Sequence, residues 1–474
     1  MMGKEDLRER SAALAQRIKH CLIISTGKSP EKATNEEFYH AFCVALREEI
    51  IANWTATSET MHASRQRVAY FFSMEYLPGR LTAHNVLNMG ALEWVRATLA
   101  SLGRNWNEVL RAEPDPGLGN GGLGRLASCF FDSLATLHYP VSGYGLRYQY
   151  GIFEQEIWAG QQVERPDCWL LNENPWEHRR DSVARSVNFG GKLIRGVNAF
   201  GEEIFSLEDP EEVRAMAFDV PVIGFANHAP YSVLTLRLWS TKESPRNFQL
   251  QRFNAGLLDQ AAENTSLTDV LYPNDNNDMG KRIRLKQEFL LVSASLQDIL
   301  EKHLQLYGDL HQLADKVRIQ LNDSHPVLTI AELIRTLMKN HAFSWEKARD
   351  ACVEICSYTN HTILREALVE WNEGRLRELL PRQHNIIERL NLEFCNGVRK
   401  RFPGDEAKVR RLSIIENGQI KMAHLAIVGS HQVNGVAALH SAILKEQLFK
   451  EFDELYPGKF TNVTNGVTHR RWLL

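Results

Sequence analysis

The sequence predicts an α/β protein built on a largely parallel sheet with helices on both faces. Three observations carry that prediction. Compact strand-like runs, RVAYFFSM (67–74), KVRIQL (316–321) and HLAIVG (424–429), are separated by long stretches with helical apolar spacing, such as 281–306 and 327–340. The connections between them are long enough for helical crossovers, which parallel strands require. The 474 residues, 44% hydrophobic and 24% charged, supply ample material for a large core.

Taken in order, residues 5–24 and 36–54 read as two amphipathic helices, with Asn35 a candidate cap for the second. Together they form an expected N-terminal helical segment, 1–66, ahead of a main unit over 67–474. Between about 140 and 245, short alternating stretches (SVNFGGKLIRGV, AMAFDVPVIGF, YSVLTLRLW) lie between Gly, Pro and Asn turns and read as a β-rich insertion. No internal repeat or low-complexity linker interrupts the chain.

The net charge of −3 argues against a nucleic-acid partner, and no run of about 18 apolar residues reads as a membrane span. The charged start MMGKEDLRER lacks the apolar centre of a signal peptide. Seven cysteines, sparse and odd in number, read as reduced thiols in a cytoplasmic protein; Cys352 and Cys356 lie one helical turn apart without a second pair to complete a zinc set.

The stretch GLGNGGLGR (117–125) carries five glycines in nine positions and leads into the apolar helical run LASCFFDSLATL. It fits G-x-G-x-x-G twice, but the preceding NEVLRAEPDP is charged and closed by prolines, whereas a dinucleotide fingerprint follows a buried strand. The P-loop pattern fails because Arg125 and Leu126 follow Gly124. What remains is bare backbone N–H at a helix N-terminus, suited to an anion, or else a tight turn that packs closely.

Three polar loops stand beside it: YPNDNNDMGK (272–281), QLNDSHP (320–326) and SYTNHTIL (357–364). Asp323 and His325 follow directly on KVRIQL, at the carboxyl end of a strand, where α/β proteins place function. The histidines lack i, i+4 metal spacing; Asp323 as a helix cap and His361 as a core histidine are the plainer alternatives. With an anion site, the set suits a polyhydroxylated ligand, because sugars need many neutral donors and acceptors near a carboxylate.

GLGNGGLGRLASCFFDSLATL, GYGLRYQYGIFEQ, LYPNDN with RLKQEF, IQLNDSHP, YTNHT, MAHLAIVGSHQVNGVAALHS and VTNGVTHRRW resemble, in that order, the glycogen/maltodextrin phosphorylase family from about residue 67 onward. The resemblance implies the Rossmann-like N-terminal half of a glycosyltransferase B fold. It also implies phosphorolysis of an α-1,4-glucan by inorganic phosphate to α-glucose 1-phosphate, with pyridoxal phosphate whose phosphate group is the proton donor and acceptor. A homodimer is the implied assembly of the complete enzyme.

By motif position, Gly121 and Gly122 would offer amides to the substrate phosphate and line the cofactor site, and Leu123 would pack near the sugar. Asn276 would bond a sugar hydroxyl on a gating loop beside Asp275, and Asp323 and His325 would meet the acceptor end of the glucan. His361 would bond the primary hydroxyl of the transferred glucose, assisted by Asn465. His361, Asp323 and Asn276 are thus the implied catalytic set; no metal is implied.

The departures carry expectations too. Nothing in the 474 residues resembles the lysine-bearing GTGNMK segment that forms the Schiff base, so the chain is expected to hold one wall of the active site, to need a C-terminal cofactor domain, and to be inactive and cofactor-free alone. A non-catalytic glucan-binding chain of the same fold is the alternative. A nucleotide-sugar transferase would want a KxGGL-type segment near the start, which is absent. His469 stands where proline is usual, and Leu77 where animal enzymes carry tyrosine. His62 and the pair Glu301–Lys302 replace the tyrosine and paired arginines of the animal nucleotide site, and no RKQISV-like segment precedes the first helix. These differences point away from control by AMP or phosphorylation.

Overall fold

A computed structural model describes residues 4–226, 230–340 and 343–472. Its centre is a nine-stranded sheet. In chain order the strands are β1 (Val68–Phe72), β2 (Val141–Leu146), β3 (His178–Phe189), β4 (Glu211–Ile223), β5 (Val233–Ser240), β6 (Val317–Asn322), β7 (Cys356–Thr359), β8 (Gln432–Gly435) and β9 (Phe460–Asn462). Across the sheet they run β9-β8-β7-β6-β1-β2-β5-β4-β3. Every pairing from β9 to β5 is parallel, and β4 and β3 add an antiparallel edge. The mostly parallel α/β class read from the sequence is therefore the class observed. The strand order reverses at β1, since the chain leaves it toward β2 and returns on its other side with β6. The carboxyl ends of β1 and β6 thus flank the crevice where such sheets bind ligands.

Two apolar cores cover the two faces. One joins the N-terminal helices Lys4–Thr26 and Asn35–Ser64 to the glycine-led helix Gly122–Thr136 through Phe38, Phe42, Phe71, Phe131 and Leu238. The other packs the long helix Asp278–Tyr307 and the helices Thr329–Asn340, Trp345–Ile355 and Met422–Gly429 over Phe72, Tyr144, Ile319 and Tyr358. Among the described residues no helix is long and apolar enough to cross a membrane.

Several local expectations need correcting. HLAIVG is not a strand: it belongs to the helix Met422–Gly429, and the strand comes next, at Gln432–Gly435. Its run buries Leu425, Ala426 and Ile427 in the core, and an apolar stretch buried all round does not reveal its period. The second helix is capped by Thr34 rather than Asn35, in a capping box with Glu37. The long helix begins at Asp278 under an Asn277 cap, so the polar loop is shorter than its sequence suggests. Of the β-rich section, Val141–Leu146 and Val233–Ser240 join the parallel sheet, while Glu154–Trp158 with Gln161–Arg165 and Lys192–Val197 with Glu203–Glu208 form separate hairpins.

Candidate active site

The five glycines divide into two kinds. A Cβ on Gly117 would lie 2.7 Å from the Trp169 ring, one on Gly119 2.8 Å from the Tyr76 carbonyl carbon, and one on Gly124 2.9 Å from a Glu75 carboxylate oxygen. These three permit close packing. A Cβ on Gly121 or Gly122 would meet nothing within 4 Å. The turn is therefore both things the sequence allowed, a packed base and a bare tip. No strand leads into it; the preceding element is the short helix Trp106–Arg111.

Gly121 is the N-cap of the helix and no side chain caps it from within the turn. Glu75, buried just past the end of β1, performs part of that task from outside: its Oε2 accepts the amides of Asn120 at 2.6 Å and Gly121 at 3.2 Å. A carboxylate at this terminus is favoured by the helix dipole. The amides of Gly122 and Leu123, in the first turn, have no carbonyl one turn back to bond.

A chain of hydrogen bonds with one polarity crosses the strand ends. Ser73 Oγ donates to the Glu75 carbonyl at 2.8 Å and accepts from Asn322 Nδ2 at 2.9 Å. That assigns the Asn322 amide, whose Oδ1 must accept from His361 Nε2 at 2.8 Å. His361 therefore carries its proton on Nε2 and presents Nδ1 as an acceptor. Burial lowers the His361 pKa, only partly offset by Asp323 and Glu75, which favours this neutral form.

Asp323 does not cap a helix. It sits in the left-handed region at φ 65°, and its Oδ1 accepts the Ser324 amide at 2.5 Å, while the next helix starts only at Thr329. Such backbone strain in a non-glycine residue costs on the order of 1 kcal/mol and persists only where the surroundings impose it. His325 stands beside it with a buried, unpartnered Nδ1 and its ring 5.6 Å from that of Tyr272. Burial lowers its pKa against the opposing pull of Asp323. Asn360, buried between Tyr358 and the Thr362 amide, holds the loop rather than facing the crevice.

The polar loop 272–277 is tied down at both ends. Tyr272 donates its hydroxyl to Glu75 Oε1 at 3.2 Å, and Asp275 pairs with Arg284 of the long helix. Glu288 is buried, its carboxylate accepting one hydrogen bond, from Trp371 Nε1 at 3.2 Å, while its Oε1 has no hydrogen bond and stands 3.9 Å from the Arg284 guanidinium. Burial pushes its pKa up to about 8 despite the nearby Arg284 charge. Asn276 and Asn465 are exposed; the former bonds Asn274 and the latter Val436, each through its backbone amide.

The fold thus gathers Gly121, Gly122, Leu123, Asp323, His325 and His361 around Glu75 and Asn322. Asn276, Asp275 and Asn465 lie on the surrounding loops. Sequence reading passed over Glu75, Ser73, Asn322, Tyr272, Arg284 and Glu288. Ser73 and Glu75 directly follow β1 as Asp323 follows β6, so the strand-end rule applied to SMEY would have found them. His440 was also missed: its Nδ1 accepts the Val436 amide at 3.0 Å, its Nε2 is buried and unpartnered, and it feels both His361 and Asp323.

The model of the family described as carbohydrate phosphorylase matches residues 99–474. Among characterised relatives, glycogen phosphorylase of Chlamydia trachomatis is 44% identical over 99% of this chain and 58% of its own length. Glycogen phosphorylase of Bacillus subtilis is 42% identical over 96% and 56%, and the sheep muscle form is 41% identical over 100% and 56%. The chain therefore spans little more than half the length of these relatives.

Proposed function

The chain belongs to the carbohydrate phosphorylase family, and from that premise we propose that it supplies the glucan- and phosphate-facing wall of an α-1,4-glucan phosphorylase. The reaction breaks the terminal C1–O4 bond, joins a phosphate oxygen to C1, and leaves the proton on the departing O4. The observation that carries the reading is the fixed tautomer of His361, a neutral acceptor at a strand end beside bare helix N–H groups.

In this reading His361 Nδ1 accepts the primary hydroxyl of the transferred glucose, with Asn465 as a second partner. Gly122 and Leu123 give their amides to the phosphate, with Gly121 setting the turn while its own amide is held by Glu75. The Leu123 side chain packs near the sugar. Asp323 and His325 receive the acceptor end of the chain, and Asn276 bonds a ring hydroxyl from the loop that Asp275 and Arg284 hold. Neutral donors and fixed dipoles then stabilise positive charge developing at C1 without a protein nucleophile.

At Gly121 and Gly122 nothing lies within 4 Å of where a Cβ would stand, and this bare backbone leaves room for a cofactor such as pyridoxal phosphate. When bound, that group supplies a phosphate able to donate and accept a proton. The glucan, inorganic phosphate and a second copy of the protein are the proposed partners, and the cytoplasm the proposed location.

The test places this chain in the full-length protein, loaded with pyridoxal phosphate, with maltodextrin and phosphate. Glucose 1-phosphate is the expected product, falling at least tenfold in His361→Ala; absence of product from the loaded wild type overturns the reading. A non-catalytic glucan-binding role is distinguished by calorimetry, since it predicts maltodextrin binding without turnover.

A further inference from the structure

Three neighbouring strands, β1, β6 and β7, end close together, and their register brings one polar residue from each onto a common line. Phe72 pairs with Leu321, so Ser73 and Asn322 are the next residues on adjacent strands. Asn322 pairs with Thr359, and His361 follows on the loop after β7. Ser73 and Asn322 are both buried, so bulk water cannot replace a partner lost by either.

The direction of the relay follows from the single hydroxyl proton of Ser73. That proton goes to the Glu75 carbonyl at 2.8 Å, an oxygen that can only accept. The Glu75 amide also points at Ser73 Oγ, at 3.4 Å, and Oγ is left to act as an acceptor. It therefore faces the NH2 end of Asn322 at 2.9 Å, which turns the Asn322 oxygen to His361 Nε2 at 2.8 Å. No hydrogen bond joins Ser73 to His361 among the described residues, yet the Ser73 proton decides which ring nitrogen is bare. Burial lowers the His361 pKa against Asp323 and Glu75, which raise it, and His325 and His440 are the other titratable groups that feel its charge. A bare nitrogen near two carboxylates suits a neutral donor and repels an anion.

We propose that Asn322, oriented by Ser73, is a positioning residue that sets the His361 tautomer and thereby restricts the crevice to sugar ends with a neutral hydrogen-bond donor at C6. A primary hydroxyl gives its proton to Nδ1. A C6 carboxylate brings only lone pairs to that nitrogen, beside the charges of Glu75 and Asp323, and is refused. The identity of the sugar rests on the phosphorylase reading. Control of the tautomer does not, and it is read without substrate.

The chain, carrying 15N-labelled histidine, is followed by NMR correlations that tell a protonated ring nitrogen from a bare one, with His361→Gln identifying the His361 signal among the 17 histidines. Wild type is expected to hold the proton on Nε2 at neutral pH. Ser73→Ala frees the Asn322 amide to turn over, so the form protonated on Nδ1 should rise to a comparable share; melting by circular dichroism checks that the variant folds. Asn322→Asp keeps an acceptor against Nε2 but adds a charge, so the titration of His361 should move up by about one pH unit or more. In the full-length protein loaded with pyridoxal phosphate, kcat/KM for a maltodextrin ending in glucuronic acid should fall at least about a hundredfold below that for maltodextrin, and Asn322→Asp should narrow the gap. A wild-type His361 protonated on Nδ1, or a ring unchanged in both folded variants, overturns the positioning role. Equal use of the two glucan ends overturns the restriction at C6. No turnover of either, with the tautomer moving as stated, upholds the role of Asn322 and removes the phosphorylase reading instead.

Discussion

Two buried polar clusters sit on the same sheet and solve opposite problems. Toward one end, Arg237 of β5 bonds Asp219 of β4 at 2.7 and 2.8 Å and Asp298 of the long helix at 2.8 Å. Arg180, Arg185, Lys302 and the Tyr144 hydroxyl complete it, so both oxygens of both aspartates are occupied. At the carboxyl ends, by contrast, Glu288 Oε1, His325 Nδ1 and His440 Nε2 are buried without a hydrogen bond among the described residues. The first cluster is an internal structural joint. The second holds polar capacity that the fold itself does not use, and unmet polar groups in a crevice are what a ligand can satisfy.

The largest expected effect breaks the satisfied cluster. Asp298→Ala takes the ion pair from Lys302 and leaves Arg237 with Asp219 alone and Arg185 with Glu301 alone, and urea unfolding should show a loss of about 3–5 kcal/mol. An equivalent cut at the crevice should cost far less, and equal costs would dissolve the distinction.

The two clusters should also respond to pH with opposite sign. Burial works against the charge on Asp298, but its cations and hydrogen bonds outweigh that and hold the carboxyl below its usual range. Asp219 is depressed in the same way. Their stabilisation is present above the unfolded carboxylate pKa and is lost as pH falls through the folded value. Glu288 is raised instead, to about 8, so the native state holds its proton while the unfolded chain releases it above about pH 4.5. Stability should therefore fall as pH climbs toward 8, by up to about 1.4 kcal/mol per pH unit. Glu288→Gln should flatten that slope in unfolding curves taken from pH 5 to 8. A variant with the wild-type slope would show that Glu288 is ionised in the folded protein.

Within the glycine turn the same contrast recurs at smaller scale. Gly119→Ala drives a methyl into the Tyr76 backbone and is expected to cost about 1–3 kcal/mol. Gly122→Ala meets open space at the first helical position and should change thermal stability by less than about 1 kcal/mol, in the stabilising direction. If the two alanines cost the same, the division into packed base and open tip fails. Of similar small size should be His361→Ala, which removes one hydrogen bond from Asn322 and is expected to cost about 0.5–1.5 kcal/mol in the folded chain by thermal unfolding.

Much of this was legible along the chain. Alternation and β-branched runs marked β1 and β6, and the position of Asp323 and His325 directly after a strand pointed to its carboxyl end. The same rule reaches Glu75, three residues past β1, but not its role, because its partners Asn120 and Gly121 lie 45 and 46 residues further along. HLAIVG misled for a related reason. Its residues are apolar on every side, so nothing local separated a buried helix from a buried strand.

What the sequence determined by itself was the class of fold, the order of the motifs and the family, since each rests on local spacing and on residue identities in series. Tertiary structure alone decided which glycines are packed and which are open, that Glu75 already occupies the Gly121 amide, and that the His361 proton sits on Nε2. All of these depend on groups distant in the chain meeting in space, where burial and hydrogen-bond polarity, rather than residue type, fix the state of each atom.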